Sequence, residues 1–184
     1  KQCREWQARG MSLSVAVNLS VRNLMDDNIP KLVDRLLTKY QLPPARLELE
    51  ITESSIMTDP ARALRNLEAL HALGVHLAID DFGTGYSSLA YLKRLPVQTL
   101  KIDNSFVRNL LEDLQDELIV NSTIHLAHNM GLTVVAEGVE NEDLLARLAE
   151  MGCDEAQGYF IGRPMTVANA ETWMVESGWI KQPQ

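Results

Sequence analysis

A chain of 184 residues, 46% hydrophobic and 23% charged, is sized for one globular domain with a sizeable core. The formal net charge of -8 argues against a nucleic-acid polymer as partner, because binding a polyanion draws on Lys and Arg. A small anionic ligand stays open if metal ions supply the positive charge. No apolar run of about 20 residues occurs, and Cys3 and Cys153 form no CxxC pattern, so a reducing, cytoplasmic setting is expected.

Taken in chain order, "KQCREWQARG" reads as the tail of a helix stopped by Gly10, and the sequence is expected to be a piece of something longer. "LSVAVNLS" is a short β-branched strand. "NIPKLVDRLLTKY" is a helix with Ile29, Leu32, Val33, Leu36 and Leu37 on one face, broken by "QLPPAR". "LELEIT" alternates as a strand. A helix follows over 59–74, with Asp59 as N-cap, Pro60 at its first position and Gly74 as its stop. "VHLAID" is a strand, "SSLAYLKRL" a short helix ended before Pro96, and "VQTLKI" a strand. The spacing then predicts a long helix over 113–131, a strand "LTVVAE", a helix over 141–152, a strand "DEAQGYF" and a last helix over 168–178.

Six βα units in succession imply α/β architecture, a parallel sheet with helical crossovers. Periodicity alone leaves an open doubly wound sheet and a (β/α)8 barrel both open. A barrel takes eight units and about 250 residues, so this chain would make an incomplete one of about six units.

Polar residues recur where the strands end. Asn18 closes the first, Glu50 lies in the second with Glu53 beyond it, and Asp80 and Asp81 close the third. Lys101 and Asp103 close the fourth, Glu137 the fifth, and Gln157 lies in the sixth. The C-terminal rim of a parallel sheet is where α/β active sites assemble, and oxygen donors without His or Cys suit Mg²⁺ or Mn²⁺ rather than zinc. Singly, each residue has a plainer reading. Asn18 with Ser20 suits a turn or N-cap, Glu50 can face solvent, Lys101 and Asp103 can form a surface ion pair, and Glu137 can cap the next turn of chain. His71, His76, His125 and His128 read as structural or exposed. The adjacent Asp80 and Asp81 are the exception, because two like charges ending an apolar strand call for a cation. "DFG" at 81–83 also occurs in protein kinases, but the glycine-rich loop, strand lysine and HRD loop of a kinase are absent from the sequence.

"NLS", "LELEITES", "AIDDFGTGYSSLAYLKRLPVQTLKID", "VVAEGVE" and "AQGYFIGRP", in this order, resemble the EAL domain, the bacterial phosphodiesterase of cyclic di-GMP. The resemblance implies a TIM-like barrel and a site holding two divalent cations, Mg²⁺ or Mn²⁺. It implies that Asn18, Glu50 and Asp80 bind one ion, that Asp80 bridges to a second held by Asp81 and Glu137, and that Lys101 contacts the attacking water or the phosphate. Glu137 is also implied as general base and Gln157 as a substrate-site residue, with Asp103 beside it. Glu53 would anchor the glycine-rich loop from Phe82 to Ser88, which shapes the second metal site and a homodimer contact. The Glu-Ala-Leu motif that names the family, with its metal-binding glutamate, is expected upstream of where these residues begin; the triplet Glu68-Ala69-Leu70 falls inside the helix over 59–74 and is not that motif. This chain alone is therefore expected to hydrolyse little and to expose two sheet edges, or to cover them with another copy. The parent is expected to be a cyclic di-GMP phosphodiesterase fused to sensor or GGDEF-type domains, and a membrane anchor elsewhere in it is compatible with this reading. A non-catalytic cyclic di-GMP receptor is the alternative, as is a scaffold that would make no demand on Lys101 or Glu137.

Overall fold

A computed structural model describes residues 1–85 and 89–177. Helix α1 (Gln2–Ala8) leads to β1 (Val15–Asn18), the single-turn α2 (Val21–Leu24) and α3 (Ile29–Tyr40). Next come β2 (Leu47–Thr52), α4 (Glu53–Met57), α5 (Pro60–Ala72), β3 (His76–Phe82), α6 (Leu89–Leu92) and β4 (Thr99–Ile102). The chain continues through α7 (Asn104–Val107), α8 (Leu114–Asn129), β5 (Thr133–Glu137), α9 (Glu142–Glu150), β6 (Glu155–Gln157) and α10 (Val167–Glu176).

Local chemistry accounts for these boundaries. Ile29, Val33 and Leu37 recur at helical spacing and are the buried stripe of α3, which ends at Gln41 in the left-handed region. Asp59 accepts a hydrogen bond from the Arg62 N–H at 3.1 Å and Pro60 opens α5, as the sequence predicts. The single-turn helices α2, α4 and α7 are additions to the sequence reading. Each follows a strand directly, capped by Ser20, Thr52 or Asp103, and each is too short to carry an amphipathic period. The predicted helix over 87–95 is described only as Leu89–Leu92, and Ser87, Ser88 and Gly178 lie outside the described residues.

The six strands form one parallel sheet in the order β1-β2-β3-β4-β5-β6. This order decides between the two architectures. A doubly wound sheet reverses direction and puts helices on both faces, whereas here every crossover steps to the next neighbour. The sheet is therefore an incomplete (β/α) barrel. Its helix-facing side supplies Leu49, Ile51, Leu77, Ile79, Leu100, Ile102, Val134 and Ala136 to one core with Leu67, Leu70, Ile124 and Leu148. The alternate residues face inward, and at the C-terminal ends of the strands they are polar: Asn18, Glu50, Asp80, Lys101, Glu137 and Gln157. Strand β6 is shorter than "DEAQGYF", because the chain turns after Gln157 to bond the loop behind β5. The Phe160 N–H donates to the Val139 carbonyl at 3.1 Å. Gly158 makes that crossing possible, since a Cβ there would lie 2.1 Å from the Val139 carbonyl oxygen.

Among the described residues β1 pairs only with β2, and β6 only with β5. Across the opening the first and last helices meet. The Trp6 indole N–H and the Arg9 guanidinium both donate to Glu171 Oε1, at 2.9 and 2.8 Å. No helix among the described residues is long and apolar enough to cross a membrane.

Candidate metal centre and active site

Inward-facing residues at the C-terminal ends of the strands converge on Lys101. Its Nζ lies 2.6 Å from Glu50 Oε1, 2.6 Å from Glu137 Oε1 and 3.0 Å from Asp80 Oδ1. Lys101 is only 4% exposed, and Glu50 and Asp80 are each 8% exposed. The surface ion pair with Asp103 is thus not what forms, and Glu50 does not face solvent. Asp103 instead caps α7, accepting from the Ser105 N–H at 3.0 Å.

Alternation along a strand would send Asp80 and Asp81 to opposite faces. The register shows how both stay at the rim. Ile79 aligns with Leu100 and Phe82 with Ile102, so two aspartates stand opposite Lys101 alone. This is a bulge, and Asp81 absorbs it at φ 54°, in the left-handed region that Asp tolerates better than most residues. As a result Asp80, Asp81 and Glu137 place carboxylate oxygens within 4.8 Å of one another.

The electrostatics stem from burial and neighbours. Burial works against the Lys101 ammonium, but its contacts with Glu137, Glu50 and Asp80 outweigh that and raise its pKa above the ordinary lysine value. Burial pushes the Glu137 carboxyl up, more than Lys101 pulls it down. Asp81 is also raised, by burial and then by the charges of Asp80 and Asp103. One layer deeper, the Thr99 hydroxyl reaches Glu48 Oε2 at 3.3 Å, and burial together with the Glu50 charge raises the Glu48 pKa.

The other sequence-predicted residues sit around this cluster. Asn18 is exposed and stands beside Glu50 in the β1–β2 register. Gln157 is exposed and stands beside Glu137. Glu53 does not join the carboxylates. It opens α4, is buried, and has both oxygens without a hydrogen-bond partner among the described residues; a Cβ on Gly85 would lie 2.9 Å from its Oε1. The histidines are peripheral. His128 Nε2 pairs with Asp154 at 2.9 Å, and His71 Nδ1 lies 3.1 Å from Gln98 Nε2. Sequence reasoning missed Arg108 and Tyr159, which line a cavity with Glu137 and Gln157; the Arg163 guanidinium stacks over the Tyr159 ring at 4.5 Å. The run "QGYFIGRP" carried two of the three, but no spacing rule ties Arg108 to it.

Residues 1–164 match the family described as EAL domain. The chain belongs to that family. It is 44% identical over 166 residues to the bifunctional diguanylate cyclase/cyclic di-GMP phosphodiesterase MucR of Pseudomonas aeruginosa, covering 90% of this chain and 24% of that protein. It is 44% identical over 149 residues to the cyclic di-GMP phosphodiesterase PdeF of Escherichia coli, covering 81% of this chain and 20% of that protein. Among solved structures, the PaMucR phosphodiesterase in complex with c-di-GMP superposes with a TM-score of 0.89 at 43% identity, over 92% of this chain and 69% of that one. The EAL chain thus spans about a quarter or less of these curated relatives.

Proposed function

We propose that this EAL domain hydrolyses one phosphodiester bond of cyclic di-GMP, leaving linear pGpG. The observation that carries the reading is the convergence of Glu50, Asp80 and Glu137 on one lysine, with Asp81 beside Asp80 and Glu137, at the rim of a family-matched sheet. Two relatives named as cyclic di-GMP phosphodiesterases support the substrate class.

The residues fit divalent cations. All donors are oxygens, and Asp80, Asp81 and Glu137 bring carboxylate oxygens within 4.8 Å of one another, with one ammonium to balance them. Asn18, Glu50 and Asp80 would hold one Mg²⁺ or Mn²⁺, and Asp80, Asp81 and Glu137 a second. Such ions supply an activated water and charge stabilisation for the attacking and leaving oxygens.

In the hydrolysis a water oxygen forms a bond to phosphorus while the bond from phosphorus to the ribose 3′ oxygen breaks. Glu137, at hydrogen-bond distance from Lys101 at the rim, accepts a proton from that water. Solvent returns a proton to the leaving 3′ oxygen. Lys101 stays cationic through neutral pH and offsets the negative charge that builds on the phosphate. Gln157, with Asp103 and the cavity lined by Arg108 and Tyr159 beside Glu137, would receive the rest of the nucleotide. Glu53 packs against Gly85 and would anchor the start of the glycine-rich loop there. A second copy pairing with this one, and GGDEF or sensor domains in the longer protein, belong to the same reading.

The test is chromatography of pGpG formed from cyclic di-GMP with Mg²⁺, Mn²⁺, Ca²⁺ or Zn²⁺, using this chain and a version extended upstream. Mg²⁺ and Mn²⁺ should support turnover, and Ca²⁺ poorly, since it is larger and less demanding in geometry. Best activity with Zn²⁺ would sink the oxygen-donor assignment. Tight binding of cyclic di-GMP by the extended protein, with no pGpG under any metal, would establish a receptor instead.

A further inference from the structure

Two sets of ligands overlap in this site. Lys101 Nζ is held by Glu50, Asp80 and Glu137, and the carboxylate cluster able to hold an ion is Asp80, Asp81 and Glu137. Asp80 and Glu137 belong to both. An ammonium has three N–H donors, and three carboxylates surround this one. It is also fixed from below. Lys101 sits in β4 between Leu100 and Ile102, both in the core, and Thr99, one inward position deeper, is engaged with Glu48.

We propose that Lys101 is a built-in electrostatic antagonist of the divalent ion, a positioning residue that holds the shared carboxylates in their converged geometry and weakens metal binding while doing so. Four carboxylates against one ammonium leave the cluster strongly negative and attractive to further cations. Every bond that Asp80 and Glu137 give to Lys101 is electron density withheld from an ion on the same oxygens, and two cations beside shared ligands repel each other. The coupling is reciprocal, so an ion entering the cluster must loosen the grip of Glu137 and Asp80 on Lys101. The lysine then becomes available to turn toward a third anion, the phosphate. This inference rests on the metal-site reading proposed above and adds a sign to it: losing the lysine should tighten metal binding, although it lowers turnover.

The experiment uses Lys101→Met and Lys101→Arg in the full chain, with thermal melting in chelator and in saturating Mg²⁺, and calorimetric titration with Mg²⁺ or Mn²⁺ alone. No nucleotide is added, so the outcome does not depend on the hydrolysis assay. In chelator the Met variant should melt lower by roughly 10 °C, because two buried carboxylates and a half-buried third lose their counter-cation. It should bind the metal more tightly by about tenfold, within the range usual for coupled sites. Saturating Mg²⁺ should restore most of its melting temperature, and the Arg variant should stay near the wild type in affinity. Unchanged or weaker metal affinity in a folded Met variant would overturn the antagonism. So would a Met variant that stays unfolded in saturating Mg²⁺, because the lysine would then be needed for packing and not for charge. Wild-type protein that binds neither ion would remove the metal-site reading itself.

Discussion

The centre of the sheet and its two edges treat the same kind of residue in different ways. In β3 and β4 the polar positions Asp80 and Lys101 are buried among strands covered on both sides, whereas Asn18 in β1 and Gln157 in β6 end edge strands and are exposed. All four stand at the same rim. In the centre, water cannot screen the charges, so each group is tied to its neighbours and the lysine's pKa moves. At the edges water competes for every contact, and a side chain there is cheap to change. Rim position therefore marks a candidate site, but burial decides how strongly each member depends on the others.

Hydrolysis should break along this division first. Asp80→Asn should lower turnover by roughly a thousandfold, equivalent to about 4 kcal/mol of transition-state stabilisation, while Asn18→Ala should cost only about tenfold. Both are read by initial rates of pGpG formation in an active, upstream-extended protein. Equal losses would show that the edge ligand matters as much as the central one.

Fold stability should divide in the same way, with smaller numbers. Leu100→Ala, in the buried heart of β4, should destabilise by about 2–5 kcal/mol in urea unfolding. Val17→Ala in β1, where Val17 is 47% exposed, should stay within about 0.5 kcal/mol. A large effect at Val17 would mean that another surface covers that edge in solution.

Asp81 sharpens the comparison, because it combines a central strand with backbone strain. Asp81→Asn keeps a side chain tolerated at φ 54° and removes repulsion with Asp80 and Asp103. In chelator it should raise stability by about 1 kcal/mol, consistent with strain and like charge kept for function. Its melting-temperature gain on adding Mg²⁺ should shrink. A variant less stable than wild type in chelator would argue that Asp81 is held by attraction and not by geometry.

A small, pH-dependent effect belongs to the far end of the sheet. Asp154 accepts from the Val134 N–H at 2.8 Å and from His128, and despite burial the His128 contact lowers its pKa below 3.8. A lowered carboxyl contributes stability that is present above 3.8 and lost as pH falls through the lower folded value. With more than a third of both side chains in water, Asp154→Ala should cost under about 1 kcal/mol at pH 7. Denaturant curves at neutral pH and near pH 3 should show the difference shrinking in acid; a constant difference would assign it to the Val134 bond alone.

Much of the architecture is legible in the sequence, for definite reasons. The buried stripe of α3, the Asp59–Pro60 start of α5 and the glycine stops depend on side-chain period and capping, which are local. The rim residues could be picked out because strand ends are marked by the change from apolar to polar residues. What no local rule could show was that the strand carrying "AIDDF" runs on through a bulge, since its cause is the pairing of β3 with β4. Nor could "DEAQGYF" reveal its early end, which depends on the Val139 backbone meeting Gly158 from another turn of the chain.

The sequence by itself determined the alternation of strands and helices, the oxygen character of the candidate ligands and, through its motifs, the EAL family, because each is written in residue type and spacing. Only the tertiary structure decided that the sheet is wound in one direction, that Lys101 abandons Asp103 for the carboxylates of Glu50, Asp80 and Glu137, and that two neighbouring aspartates face the same side. Those outcomes depend on which strands lie next to one another and how much water they exclude. Pairing and desolvation are properties of segments brought together from 21 to 51 positions apart, as Asp80 and Glu50 are from Lys101, and no short stretch of sequence contains them.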